Sequence, residues 1–233
     1  MKKLQRYILV FSISFALLLI APAFLGGQFP IYPLMSWGDV LDILTPMILL
    51  PLYWILFWFG SSEKIKLGES LVFVFLAGMW AEGQGMHLSA NSIGHLLDET
   101  VHGDIYLLTG FYDEKVSHYL WHLGIFGLTA LLIYRSWRSP SGNTQISWGM
   151  VIPAGIIHGL TIFMIVIEGG TVLIGIPFAL LVPLVILVCC RDRLRTQPLI
   201  SFYFISCLVA LLFLAGWCTY WCGCPEPSKV GII

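Results

Sequence analysis

Long apolar blocks alternate with short polar breaks along this chain. Seven blocks reach the length of a membrane span: roughly 7–25, 40–59, 67–88, 114–134, 148–168, 171–190 and 198–217. About 20 residues, each rising 1.5 Å, cross the hydrocarbon core, and there a helix satisfies every backbone polar group within its own segment. The pattern predicts an all-α fold, a polytopic membrane helix bundle with about seven transmembrane helices in a single domain over 1–233. The first block follows Lys2, Lys3 and Arg6 and ends at Ala21-Pro22-Ala23, the outline of a secretory signal. It exceeds the 7–15 residues usual for a signal's apolar region, so it is expected to stay as a helix.

Composition supports this reading. The chain is 58% apolar and 11% charged, with a mean hydropathy of +0.87. A soluble domain carries roughly 25% charge because its surface must be solvated. Here lipid must cover much of the exterior, and the lipid bilayer is the first expected partner. With a net charge of −1 and basic residues in short separate clusters, no nucleic acid partner is expected.

Charge also orients the bundle. Lys2, Lys3, Arg6, Lys64, Lys66, Arg135, Arg138, Arg191, Arg193 and Arg195 fall on one side of a seven-span topology, and only Lys115 and Lys229 on the other. Positive residues stay inside, which predicts a cytoplasmic N-terminus and an extracytoplasmic C-terminus. The expected location is a bacterial or archaeal cytoplasmic membrane. Acids run the other way: Glu63, Glu69 and Asp192 lie inside, and the rest lie in outer loops or outer helix ends. The long outer segment 89–113 mixes apolar residues with Asp98, Glu99 and His102, and is expected to form a lid or an interfacial helix.

All six histidines fall between residues 87 and 158. Ionisable groups inside a span are costly unless paired, which makes each a functional candidate. Glu114, His118 and His122 are spaced i, i+4, i+8 and drift by only about 80° around a helix, so they share one face. Two histidines four apart can place both imidazoles on one metal ion. The competing interpretation is an outer helix end at headgroup level; it suits His118, but His122 lies ~12 Å below Glu114, too deep for it. In the third block Glu82 lies within the span, and His87, Asn91 and His95 form a second stripe. Its competing interpretation is a polar network between packed helices. His158 is central in the fifth block, where a lone histidine is often only hydrogen-bonded structure. Asp39, Asp42 and Glu168 are placed to orient ligands from behind.

These residues predict a membrane-embedded metal-dependent enzyme, a hydrolase or an oxidoreductase, with its site in the outer half of the bundle and a lipid or small apolar substrate. His87, His118, His122, His158 and Glu82 are the expected metal ligands, and Glu82 and Glu114 the candidate catalytic bases. Imidazole with carboxylate suits Zn, Fe, Mn or Cu, as one or two ions. Haem held by paired histidines, in an electron-transfer or accessory subunit of a larger membrane complex, is the alternative. A metal-ion or proton transporter is a further one, opposed by the scarcity of polar residues in the inner helix halves. No Gly-x-Ser-x-Gly elbow, Walker A loop or His-rich box cluster is present. Cys189, Cys190 and Cys207 read as small apolar residues, whereas Cys218 can bridge to Cys222 or Cys224 in an oxidising compartment.

Overall fold

Each apolar block folds into one helix, and local caps set several of the starts. The computed structural model describes residues 2–142 and 145–232; Met1, Asn143, Thr144 and Ile233, including both ends of the expected 1–233 domain, lie outside the described residues. The helices are α1 Lys2–Ile20, α2 Trp37–Phe59, α3 Leu67–Gly94, α4 Glu99–Phe111, α5 His118–Arg138, α6 Trp148–Glu168, α7 Val172–Cys189 and α8 Pro198–Tyr220. Ser36 Oγ accepts from Asp39 N at 3.1 Å while Asp39 Oδ2 accepts from Ser36 N at 2.7 Å, a reciprocal cap that fixes the start of α2. Pro198 opens α8 at a position where its missing N–H costs nothing.

The protein is all-α: 79% of it is helical, and the extended pairing among the described residues is one isolated bridge between Gln28 and Ser36. Among the described residues, six helices are long and apolar enough to cross a membrane. α3 has the length, at 28 residues, but its second half carries Glu82, Gln84, His87 and Asn91.

Three helices differ from the pattern by four residues or more: α1 spans Lys2–Ile20 where 7–25 was expected. α3 runs on to Gly94 past the expected 88, and the expected 114–134 helix spans His118–Arg138, its start set by a π turn over Tyr112–Ser117 that joins α4 to α5. The 89–113 segment is thus mostly helical; α4 runs through the π turn into α5, and no residue of α4 is buried. Gly103, at φ 44°, supplies the left-handed residue at the kink inside α4.

Small residues let the helices approach. α3 and α5 form an antiparallel pair, and α6 packs between α1 and α8. A Cβ on Gly83 would lie 2.5 Å from Trp121 N, and one on Gly159 would lie 2.5 Å from Ser206 O. Between membrane helices such close backbone contact is a principal source of association. Phe11, Phe15, Tyr53, Trp80, Phe202 and Tyr203 are fully buried between them.

The two ends of the bundle differ in chemistry. At the basic end, Arg135 pairs with Glu69, donates to Glu63 O at 3.0 Å and lies 4.6 Å from the Phe57 ring centre. At the opposite, acidic end lie segment 21–36, the tops of α2 and α3, the π turn, the α6–α7 turn and the C-terminal tail. Cys218 and Cys224 form a disulfide there, leaving Cys222 free. The disulfide, with Trp217 Nε1 donating to Pro225 O at 2.9 Å, folds the tail back toward the bundle.

Candidate functional site

A cavity of ≈ 610 Å³ opens at the acidic end. Its walls come from the 21–36 segment, α2, α3, the π turn with the start of α5, the end of α6 and the tail. Its polar wall contains His87, His95 and His118 together with Asp42, Asp113 and Glu114.

The best-defined contact joins α3 to the π turn. His87 Nδ1 lies 2.7 Å from Asp113 Oδ1, with both side chains largely buried. When His87 is neutral, its Nδ1–H donates to the carboxylate and leaves Nε2 with the lone pair, the tautomer a proton acceptor needs. The π turn inserts an extra residue per turn at this point, and such bulges occur often at functional sites. Ser117 Oγ donates to Asp113 O and holds the turn closed.

Three imidazoles then stack downward from the cavity. Ring centres are 4.7 Å apart for His87 and His118 and 6.1 Å for His118 and His122, with Trp121 4.9 Å from His122. His122 is fully buried, and its Nδ1 lies 2.5 Å from Thr171 Oγ1. His122 Nε2 has no hydrogen-bond partner, whereas His118 lies against the Glu114 and Gly169 backbone. Gly169 makes room for this column: a Cβ there would sit 2.8 Å from His122 Cε1.

Carboxylates from other elements close the wall. Asp42 Oδ1 accepts from Gln84 Nε2 at 3.1 Å. Glu168 Oε2 accepts from Ser228 N at 3.2 Å, which ties the tail to the end of α6. Glu226 faces the cavity and pairs with Lys229 at 2.7 Å; its carboxylate holds Lys229 above the usual lysine range.

The structure gathers His87, His118, His122 and Glu114 at this end and places two expected ligands elsewhere. Glu82 is exposed on the opposite face of α3. His158 lies among Phe11, Phe15, Phe202 and Tyr203, with Nδ1 2.7 Å from Ser206 Oγ. Among the described residues no group of three or more His, Cys, Asp or Glu is arranged to hold a metal ion. Outside the cavity, His102 Nδ1 accepts from Asp98 N at 2.7 Å. The side chain and backbone N–H of Thr100 hold the Asp98 carboxyl below its usual range.

Sequence reasoning missed three contributors. Asp113 lies one position off the Glu114–His118–His122 face in an α-helical register, and only the π turn brings it to His87. Thr171 and Glu226 reach the site across 49 and 104 positions from His122, contacts that no local pattern announces. No family model matches the chain, and neither does any curated protein or solved structure.

Proposed function

We propose that this protein is a membrane-embedded enzyme of the hydrolytic class, with its active site in the acid-lined cavity. In this reading α3 also spans, making seven transmembrane helices, and the acidic end faces outside. The observation that carries the catalytic assignment is the His87–Asp113 contact in the cavity wall. A histidine oriented by a carboxylate is the common proton-transfer unit of acid–base catalysis. His87 Nε2 takes a proton from the attacking water, Asp113 holds the ring and stabilises the imidazolium, and a protonated Glu114 at the rim gives its proton to the leaving group and regains one through solvent as the imidazolium deprotonates. The cavity's apolar wall, including Leu19, Phe24, Leu34 and Met164, suits a lipid or another small apolar substrate.

The test is product analysis by mass spectrometry of a membrane lipid extract incubated with purified protein. A product that accumulates with the wild type and not with His87→Ala is expected; identical profiles for the two proteins refute the assignment.

The orientation has its own test. In a background lacking the free cysteines, Asp104→Cys is expected to label from outside intact cells and Ser141→Cys only after permeabilisation. Reversed labelling would put the cavity on the cytoplasmic side.

A metal-dependent form of the enzyme is a second reading, favoured by the buried, unpartnered His122 Nε2 one turn below His118. It predicts stoichiometric Zn, Fe, Mn or Cu in purified protein, lost in the His118→Ala/His122→Ala variant. Elemental analysis that finds no metal in the wild type ends this reading and leaves the first intact.

A further inference from the structure

Three cysteines lie at the acidic end, and a bridge uses two of them. Cys218 and Cys224 are joined, and Cys222 sits inside the loop they close. A thiol left over beside a disulfide is an exchange partner for it when the thiol is accessible and within reach. Cys222 is exposed, and a Cβ on its neighbour Gly223 would meet only Trp221 O, at 4.0 Å. Reach comes from the turn that ends α8. Cys222 N donates to Thr219 O at 3.3 Å and Gly223 N to Cys218 O at 2.9 Å, which brings residue 222 back beside the bridge. The other cysteines lack this setting: Cys207 is buried within α8, and Cys189 and Cys190 lie at the basic end of α7.

A second observation gives the bridge a task. Past Cys224 the chain runs as a strap over the acidic end. Trp217 Nε1 donates to Pro225 O at 2.9 Å, Pro227 is buried, and Ser228 N donates to Glu168 Oε2 at 3.2 Å. Glu226 and Ser228 on this strap line the cavity. Cys218 and Cys224 pack against the apolar core, so the bridge fixes the root of the strap to α8.

We propose that Cys222 exchanges with this disulfide, and that the exchange unlatches the strap that forms one wall of the cavity. The nucleophile is the thiolate, so Cys222 first gives its proton to solvent. Its sulfur attacks Cys218 Sγ; the Cys218–Cys222 bond forms as the Cys218–Cys224 bond breaks, and Cys224 leaves as a thiolate that takes up a proton. One disulfide replaces another, so the step needs no oxidant or reductant. The new bridge closes over the end of α8 and does not reach Cys224, so only hydrogen bonds and packing then hold residues 223–232. An effect on turnover rests on the cavity being the active site; the exchange itself does not.

The experiment is a time course on the full chain in a neutral maltoside detergent, in mildly alkaline buffer without added thiol. Samples are quenched with N-ethylmaleimide, reduced, and labelled with iodoacetamide, so that fragment mass spectra place the maleimide on Cys222 or Cys224. Maleimide is expected on Cys222 at first and on Cys224 in a share that grows with time, whereas Cys222→Ser should show none on Cys224. Amide hydrogen exchange over 223–232 reads the strap: it should be about tenfold faster in Cys224→Ser than in Cys222→Ser, which keeps the original bridge. Maleimide confined to Cys222 throughout would overturn the proposal. So would a dimer linked through Cys222 on a non-reducing gel, since the thiol would then serve a second copy of the chain. Equal strap exchange in the two variants would overturn the unlatching. Neither readout needs a substrate, which separates this claim from the catalytic one. Exchange in a protein that turns nothing over leaves the latch standing and ends the catalytic reading; His87-dependent turnover with maleimide only on Cys222 does the reverse.

Discussion

Asp113→Asn is expected to slow turnover by about 10²–10⁴-fold with little change in stability. The amide keeps the shape of the carboxylate, so the π turn and the Ser117 bond to the Asp113 carbonyl remain. Two properties are lost. An amide stabilises the imidazolium formed during proton transfer far less than a carboxylate does. Its NH₂ group can also donate to Nδ1, which selects the tautomer with the proton on Nε2 and removes the base. His87→Ala should cost a similar factor, and substrate affinity should change less than the rate, because neither residue is needed to hold the apolar body. Steady-state kinetics on the product identified from the lipid extract measures both quantities. A rate within threefold of wild type for Asp113→Asn would mean that the contact is structural.

Arg135→Ala carries the largest expected loss of stability. The guanidinium is almost fully buried at the basic end, paired with Glu69, bonded to the Glu63 carbonyl and packed on Phe57. Removing it strands Glu69 largely desolvated, with a side-chain exposure of 15%. Breaking one partner of such a pair costs about 3–5 kcal/mol. The thermal midpoint, followed by size-exclusion of the heated protein, should fall by roughly 10 °C. Arg135→Ala with Glu69→Gln should recover part of the loss, because the stranded charge is gone. A single variant as stable as wild type would show that the pair is hydrated and contributes little.

The helices were legible because their length and apolarity answer to one physical demand, the satisfaction of backbone groups in lipid. Trp148–Glu168 coincides with its apolar block, and α2, α7 and α8 differ from theirs by a few residues at the caps. The site was legible only in part. The i, i+4 spacing on α5 found His118 and His122, and the stripe on α3 found His87, since these follow helical periodicity. Glu82 shows where periodicity stops helping: it lies within α3, yet faces away from the cavity, and a sequence pattern gives a face without saying what covers it. His158 was placed by depth alone, and depth does not separate the cavity from the aromatic layer around Phe11 and Phe15. Asp113 needed the π turn, which has no sequence signature as clear as a proline or a glycine.

The central claim is that His87 and Asp113 act as one unit in the cavity. Turnover of His87→Ala, Asp113→Asn and the double variant, measured side by side on the same substrate, tests it most directly. The account predicts that the double variant is no slower than His87→Ala alone, because the carboxylate has no role once the imidazole is absent. Losses that multiply in the double variant, or single variants that retain wild-type turnover, would contradict it.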